Sequence, residues 1–194
     1  PDSVRLVAQF IAMGLMFWNL DILHWDMWWI VLIALVVFVG ATNVINFMDG
    51  INGITAGYAL AVLVPLLLLN RSACFIAESY LIIAILGVLV FSFFNFRPKG
   101  KAKCFAGDVG SIGIAFIMLF AIGSLIAKTG DVTWLLFLIV YGIDGCCTIL
   151  HRIMLHENLG EAHRKHAYQL MANELKMGHV TVSLIYFGLQ LVTT

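Results

Sequence analysis

Charged side chains are scarce in this sequence. Only 11% of its 194 residues are Asp, Glu, Lys or Arg, whereas 62% are hydrophobic. Because soluble domains carry about a quarter charged residues, the composition excludes an ordinary soluble domain and indicates an integral membrane protein. The 11 basic and 11 acidic side chains cancel, so the chain lacks the overall positive field that attracts nucleic acid.

Metal-binding cysteine patterns and alternating strands are also lacking. The four cysteines, at 74, 104, 146 and 147, form neither a C-x-x-C pair nor a ligand spacing with histidine, which argues against a disulfide framework and a zinc site. The run WWIVLIALVVFVGA at 28–41 is apolar on every side. A transmembrane β-barrel would instead need alternating strands of about 10 residues.

Long apolar runs predict an all-α, polytopic transmembrane bundle. A helix needs about 20 apolar residues to cross the hydrocarbon core, and tilt or local thinning accommodates other lengths. The candidate spans, about seven, lie near residues 5–20, 27–46, 54–70, 79–96, 112–127, 132–150 and 179–194. We expect residues 1–194 to form one integral membrane domain.

Basic residues predict the orientation of these spans, because they accumulate in cytoplasmic loops. Nine of the 11 basic residues fall on one side and two on the other. The nine are Arg5, Arg97, Lys99, Lys101, Lys103, Arg152, Arg164, Lys165 and Lys176. We therefore place the loops at about 47–53, 97–111 and 151–178 in the cytoplasm, where residues far apart in sequence can build one site.

The first loop combines amides, a carboxylate and glycines. Asn43, Asn46 and Asp49 recur every three residues, and Gly50 and Gly53 allow a sharp turn. Oxygen ligands of this kind suit a hard cation, and a following helix N-terminus suits phosphate. A polar turn with an Asx cap is the alternative.

The second loop carries a basic stretch followed by Asp108, which lies between Gly107 and Gly110 where the next helix begins. The basic stretch could bind phosphate or simply contact anionic lipid headgroups. An acidic residue between glycines at the mouth of a membrane helix resembles a metal or phosphate site more than a cap.

The third loop is rich in histidine, and His163 and His166 share a helical face. A transition-metal pair, a diphosphate clamp formed with Arg164 and an inert surface helix are the three interpretations. Asp144 lies inside the sixth span, where a carboxylate needs a partner. The histidines, a bound cation or neighbouring helices could supply it.

Four motifs in order carry a family resemblance: NVINFMDGING at 43–53, FNFRPKGKAKCFAGDVGS at 94–111, YGIDGCCTILHRI at 141–153 and EAHRKHAYQ at 161–169. They resemble the polyprenyl-phosphate N-acetylhexosamine-1-phosphate transferases. The resemblance implies transfer of a sugar-1-phosphate from a UDP-N-acetylamino sugar to undecaprenyl phosphate at the cytoplasmic membrane face, with release of UMP. That reaction is the first membrane step of cell-envelope polysaccharide synthesis, including lipopolysaccharide.

The resemblance also implies roles for individual residues and a Mg²⁺ requirement, with Mn²⁺ as an alternative. Asp108 corresponds to the metal-binding aspartate, and Asp49, His163 and His166 correspond to further catalytic positions. The implied substrate-binding residues are Asn43, Asn46, Asn52, Asn95, Phe105 and Arg164. The expected setting is a bacterial inner membrane with no nucleic-acid partner, and a homodimer is left open.

Three departures from the family pattern qualify the resemblance. Asn52 stands where the family often has Asp, and the loop sequence HRKH lacks a triple-histidine motif, which favours the branch that acts on simpler UDP-N-acetylamino sugars. The family also carries an Asp-Asp pair on an earlier cytoplasmic loop, and no such pair occurs here. We therefore expect this chain to be the C-terminal part of a larger bundle and to lack part of the active site.

Two alternatives belong to other functional classes. Asp144 inside a span could serve a membrane transporter or an ion or proton path, although transporters usually place their polar groups near the midplane. A non-catalytic membrane scaffold is the other alternative. The crowding of polar motifs on one side favours the enzyme.

The orientation predicts how Cys104 responds to labelling. Because its loop carries four basic residues and should face the cytoplasm, a membrane-impermeant maleimide should label Cys104 in inverted vesicles but not in intact cells. Labelling from outside intact cells would contradict the orientation.

Overall fold

The computed structural model describes residues 2–23, 25–158, 161 and 164–194, without the side chains of residues 2 and 25. These residues form eight α-helices and two short 3₁₀ segments, Trp25–Met27 and Val132–Leu138. The α-helices are α1 Asp2–Asn19, α2 Trp28–Met48, α3 Ile54–Ala73, α4 Glu78–Asn95, α5 Gly107–Thr129, α6 Ile139–Met154, α7 Ala167–Asn173 and α8 His179–Thr193. The described residues contain no strand, so the predicted all-α class is confirmed.

Among the described residues, five helical segments are long and apolar enough to cross a membrane. They are α2, α3, α4, α5 and Val132–Met154, the last made of the second 3₁₀ segment together with α6. The predicted spans 5–20 and 179–194 correspond to α1 and α8. With 15 residues, α8 is about 22 Å long, which is shorter than a hydrocarbon core of about 30 Å.

Helix α3 forms the centre of the bundle and packs against α8, α4 and α5. Ala56, Ala59 and Ala61 of this helix are completely buried. Small side chains let neighbouring helices approach closely, which matters in a bilayer because lipid tails are as apolar as the helix surfaces. A second apolar cluster, which includes Phe17 and Phe38, joins α1, α2 and α5.

Hydrogen bonds bring the three polar motifs together at one end of the bundle, the third of them through Tyr168, which donates to the Phe47 carbonyl. The loop between α2 and α3 contacts the loop between α4 and α5 through Asn52, and it contacts the start of α8 through His179. At the opposite end, Asn70 closes the turn between α3 and α4 by accepting from the backbone of Phe75 and Ile76. We call the end with the polar motifs the polar end.

Gly145 allows α6 to lie directly against α2. A Cβ atom at this position would lie 2.9 Å from a methyl carbon of Val44, whereas a Cβ at Gly142 would meet nothing within 4 Å. Valine is stiff about χ1 and cannot easily move its methyl groups away. The close contact between α2 and α6 therefore depends on a glycine at 145.

Gly145→Ala should destabilise the bundle by about 1–3 kcal/mol through overpacking. Gly142→Ala is the matched control in the same helix and should be neutral or stabilising, since alanine favours helix over glycine. Thermal unfolding in detergent measures both. Equal unfolding temperatures for the two variants would contradict the packing argument.

Candidate functional site

The last turns of α2 carry the amide and carboxylate row predicted from the sequence, and each member has its own partner. The Asn43 amide nitrogen donates to Gln9 Oε1 at 2.9 Å, and Ser111 Oγ donates to Asn46 Oδ1 at 2.5 Å. Asp49, which follows the end of α2, accepts from Thr55 Oγ1 at 2.5 Å. The row thus connects α2 with α1, α5 and α3 at the polar end.

Asp49 is held in a partly buried position close to a second carboxylate. Burial has the largest effect and raises the pKa of Asp49 above its ordinary value, and the negative charge of Asp108 raises it further. Hydrogen bonds from Thr55 and from the Gly107 backbone lower it, but the net shift of this pKa is upward. The two carboxylates, far apart in sequence, therefore act on each other at the polar end.

Asp108 lies in the first turn of α5, where the helix dipole favours a negative charge. Arg5 Nη1 contacts Asp108 Oδ2 at 3.4 Å, and the Asp108 side chain is 72% exposed. An ion pair this exposed contributes little to stability. The carboxylate is therefore accessible to a ligand from solution.

Asn52 and Asn95 are buried residues that join loops. The Asn52 side chain donates to the carbonyl oxygens of Arg97 and Pro98 at 2.9 and 3.0 Å. Asn95 Oδ1 accepts from the Gly53 backbone at 2.7 Å, and its amide nitrogen donates to the Cys104 carbonyl at 2.8 Å. These amide nitrogens hold the loops together, and their predicted role in substrate binding stays a prediction.

Two other predicted binding residues lie on the surface of the polar end. Phe105, just before α5, is 73% exposed, so its ring is available for stacking on a planar ligand. Arg164 is also exposed, in the loop before α7. His163, its predicted neighbour in the site, lies outside the described residues.

His166 is buried rather than open to solvent. Its Nδ1 lies 3.2 Å from Asp144 Oδ1, and Thr148 Oγ1 lies 3.3 Å from the same nitrogen. His166 also forms the N-cap of α7, with Gln169 completing a capping box. Of the partners that the sequence left open for Asp144, two kinds are observed: the histidine at 166 and a neighbouring helix, α8, through Tyr186.

Asp144 also contacts other groups. The hydroxyl of Tyr186 donates to Oδ2 at 2.6 Å, and the backbone N–H of Ala167 donates to Oδ1 at 2.9 Å. A carboxylate held by helix α8 and by the start of α7 matches a structural or positioning role. These contacts do not favour the ion path considered as an alternative.

The loop after α6 is organised by a buried arginine. Arg152 is 4% exposed, forms an ion pair with Glu157 at 3.3 Å and donates to the carbonyl oxygens of Asn158 and Glu161. Glu157 also pairs with Lys165, and this hydrogen bond lowers the pKa of the Glu157 carboxyl. The ion pairs bring the loop back toward the start of α7.

An open apolar groove lies beside the polar end, between α6, α7 and α8. Its volume is about 790 Å³, and its wall includes Ile143, Cys147, Leu170, Ile185 and Leu189. His151 and Lys165 lie along the same groove. The shape and lining suit a flexible hydrocarbon chain with a polar group near the loops.

Carboxylate and amide oxygens at the polar end are the kind of ligand that suits a magnesium ion. Among the described residues, no cluster of three or more His, Cys, Asp or Glu side chains could hold a metal by itself. Mg²⁺ is commonly bound by one or two carboxylates together with substrate phosphates and water. The pair Asp49 and Asp108 therefore fits a cation that is shared with a phosphate ligand.

Sequence reasoning missed two residues of the site. Gln9 is 4% exposed and pairs with Asn43, and Arg5, which served only to orient the spans, contacts Asp108. A glutamine within an apolar span was the available signal for the first, since polar groups at that depth need partners. For Arg5 the sequence offered no signal of its partner.

Comparison with known proteins places these residues in a family context. A family model described as glycosyl transferase family 4 matches residues 3–128. The chain is 28% identical, over 95% of its length and 49% of the relative, to a probable undecaprenyl-phosphate N-acetylglucosaminyl 1-phosphate transferase of Bacillus subtilis. It is 33% identical, over 52% of its length and 32% of the relative, to a phospho-N-acetylmuramoyl-pentapeptide-transferase of Thermotoga neapolitana.

A phospho-N-acetylmuramoyl-pentapeptide-transferase of a Synechococcus species is also similar, at 31% identity over 71% of this chain and 34% of the relative. The chain thus spans about a third to a half of the length of the curated relatives that it matches. The predicted family resemblance is confirmed. The expectation that the chain is part of a larger bundle stays a prediction.

Asp49→Asn should stabilise the protein at neutral pH, because it removes a charge that burial and Asp108 disfavour. The folded state raises the pKa of this carboxyl, so it binds the proton more tightly than the unfolded state does. The cost of the charge is absent below the unfolded pKa of about 3.9 and develops as the pH rises through the folded pKa.

Thermal unfolding of wild type and Asp49→Asn at pH 7 and pH 4 measures this effect. The variant should unfold at a higher temperature at pH 7, and the difference should shrink at pH 4. Asp21→Asn, at an exposed position on the opposite end, is the control. A constant difference between Asp49→Asn and wild type across this range would contradict the electrostatic origin.

Proposed function

Because the chain belongs to glycosyl transferase family 4, we propose that it forms part of a membrane enzyme that transfers a sugar-1-phosphate from a UDP-N-acetylamino sugar to undecaprenyl phosphate. The reaction releases UMP and starts the membrane stage of cell-envelope polysaccharide synthesis. The names of the similar proteins support the lipid acceptor and the amino-sugar phosphate. The match over 95% of this chain supports the N-acetylglucosaminyl branch in particular.

One observation carries the proposal: the hydrogen bond from Ser111 to Asn46 at 2.5 Å holds the first turns of α5, which include Asp108, beside the end of α2, which Asp49 follows. Asp108 raises the pKa of Asp49 through its negative charge. A partly buried carboxylate that is repelled by a second one is costly unless a cation serves both. This arrangement supports a site for a phosphate ligand that arrives with a divalent cation.

The proposed chemistry is a displacement at phosphorus. An oxygen of the acceptor phosphate bonds to the phosphorus that carries the sugar, and the bond from that phosphorus to the UMP oxygen breaks, so UMP leaves with the electron pair. A phosphomonoester has its second pKa near 6, so most of the acceptor is already a dianion at pH 7. Little general-base catalysis is therefore required.

The protein must align two anionic groups and offset their repulsion. Asp49 and Asp108 would hold Mg²⁺, which when bound neutralises charge on the diphosphate. Arg5 lies beside Asp108 at 3.4 Å, and the exposed Arg164 belongs to the loop before α7. These two cations are suited to the phosphate groups of the donor and the acceptor.

A lipid acceptor needs an apolar path to the site, and the groove between α6, α7 and α8 supports one. Its volume of about 790 Å³ and its apolar wall fit part of an isoprenoid chain. We place the polar end on the cytoplasmic side because nine of the 11 basic residues belong to it. The water-soluble donor then approaches from the cytoplasm.

The test is UMP release by the full-length protein that carries this chain, purified in detergent and supplied with undecaprenyl phosphate, Mg²⁺ and a panel of UDP-N-acetylamino sugars. Release with one donor that stops in EDTA would support the reaction, the cation and the donor together. No release with any donor, from folded full-length protein, would refute the proposal.

Asp108→Ala in that protein should lower kcat by at least about 100-fold, equivalent to about 2.7 kcal/mol of the barrier, because it removes one of the two carboxylates. Asp131→Ala is the matched control. Asp131 also begins a helical segment and is also exposed, but it lies at the opposite end of the bundle. Normal turnover in Asp108→Ala would remove this residue from the site.

A further inference from the structure

We infer that Asp144 is a positioning residue whose carboxylate docks His166 and the start of α7 onto the bundle, so that Tyr168 fixes the turn that carries Asp49. The expected effect on kcat rests on the proposed function. Its structural part, a chain of contacts from Asp144 to Asp49, is independent of which reaction the site performs.

Groups from α6, α7 and α8 converge on Asp144. Three donors reach Oδ1 or lie beside it: Thr148 Oγ1 at 3.2 Å, His166 Nδ1 at 3.2 Å and Ala167 N at 2.9 Å. Oδ2 accepts from Tyr186 OH at 2.6 Å and from Tyr168 N at 3.5 Å. The residue itself is 7% exposed.

Helix α7 has only seven residues. A helix this short is marginal without outside support, and its first N–H groups have no partners within the helix. Asp144 accepts from the first two, those of Ala167 and Tyr168. A carboxylate from α6 thus caps α7 from another part of the chain, with a favourable charge for the helix dipole.

Tyr168 connects α7 to the candidate site. The completely buried Tyr168 donates its hydroxyl hydrogen to the Phe47 carbonyl at 2.8 Å, two residues before Asp49. The same hydroxyl lies so close to Gly50 that a Cβ there would be 2.2 Å away. The Tyr168 ring therefore sets the path of the backbone on both sides of Asp49.

Stability alone does not account for a carboxylate at this place. A buried charge in a membrane segment is costly, and well-packed apolar residues often replace buried ionic groups without loss of stability. What apolar packing cannot do is direct several hydrogen bonds at once. This network of hydrogen bonds would fix the geometry at Asp49. A fixed geometry matters because small misplacements of catalytic groups reduce rates strongly.

The test compares Asp144→Asn and Tyr168→Phe with Tyr58→Phe in the full-length protein. Asp144→Asn replaces one acceptor oxygen by a donor that faces either Tyr186 or Ala167. Tyr58 is the matched control, because it is also completely buried and also donates to a backbone carbonyl, that of Phe137 at 3.1 Å. This hydrogen bond joins α3 to the second 3₁₀ segment and does not involve α7.

We expect Asp144→Asn and Tyr168→Phe to lower kcat by at least about tenfold, while the KM for the UDP-sugar changes by less than about threefold. Tyr58→Phe should keep its kcat even where its unfolding temperature falls as far. The double variant should be no slower than the slower single variant, because both changes break one chain of contacts.

Hydrogen–deuterium exchange supplies a readout that needs no turnover. Asp144→Asn should speed exchange at residues 167–168 and at 49–50 and leave α3 and α4 unchanged, whereas Tyr58→Phe should leave 49–50 unchanged. General loosening of the fold would raise exchange throughout. If Asp144→Asn does not fold, the inference is tested with Tyr168→Phe.

Two results would overturn the inference: wild-type kcat in folded Asp144→Asn or Tyr168→Phe, or an equal loss of kcat in Tyr58→Phe. If wild type itself releases no UMP, the proposed function fails instead. In that case exchange alone decides the inference: faster exchange at 49–50 in Asp144→Asn supports it, and unchanged exchange there overturns it.

Discussion

The hydrogen bonds around Asn52 hold the polar end of the bundle together. Its side chain donates to the loop between α4 and α5, its backbone N–H donates to His179 at 3.2 Å, and its carbonyl accepts from Ser183 at 2.9 Å. A short loop is thereby joined to two distant parts of the chain. With these bonds in place, Asp49 after the end of α2 and Asp108 in the first turn of α5 lie at the same end of the bundle.

Different polar side chains hold the described parts of the loops at this end. Asn52 and Asn95 satisfy backbone groups of neighbouring loops, Arg152 satisfies the carbonyl oxygens of the loop after α6, and Asp144 satisfies the first amides of α7. In each case one polar side chain serves backbone groups that would otherwise lack partners, which is costly away from water. The polar end is therefore held together by side chains that form hydrogen bonds with backbone groups.

The helices and their common polar end could be predicted from the sequence, because apolar run length and the distribution of basic residues depend on the membrane alone. The hydrogen-bond partners of the polar side chains could not be predicted. Asn43 and Asn46 lie on one face of α2 as predicted, but their partners Gln9 and Ser111 depend on how α1 and α5 cross that helix. Likewise, three kinds of partner were open for Asp144, and the positions of α7 and α8 supply His166 and Tyr186. The predicted roles of the site residues stay predictions.

The groove between α6, α7 and α8 is lined by residues of these helices, with His151 and Lys165 along it. If it receives the lipid acceptor, the two substrates reach the site by different kinds of diffusion. A water-soluble donor would search three dimensions of solution, whereas a lipid acceptor would search the plane of one leaflet. The acceptor's effective concentration is then a surface density, which changes with membrane area and composition, so that growth of the membrane itself dilutes one substrate of the reaction and leaves the other unaffected.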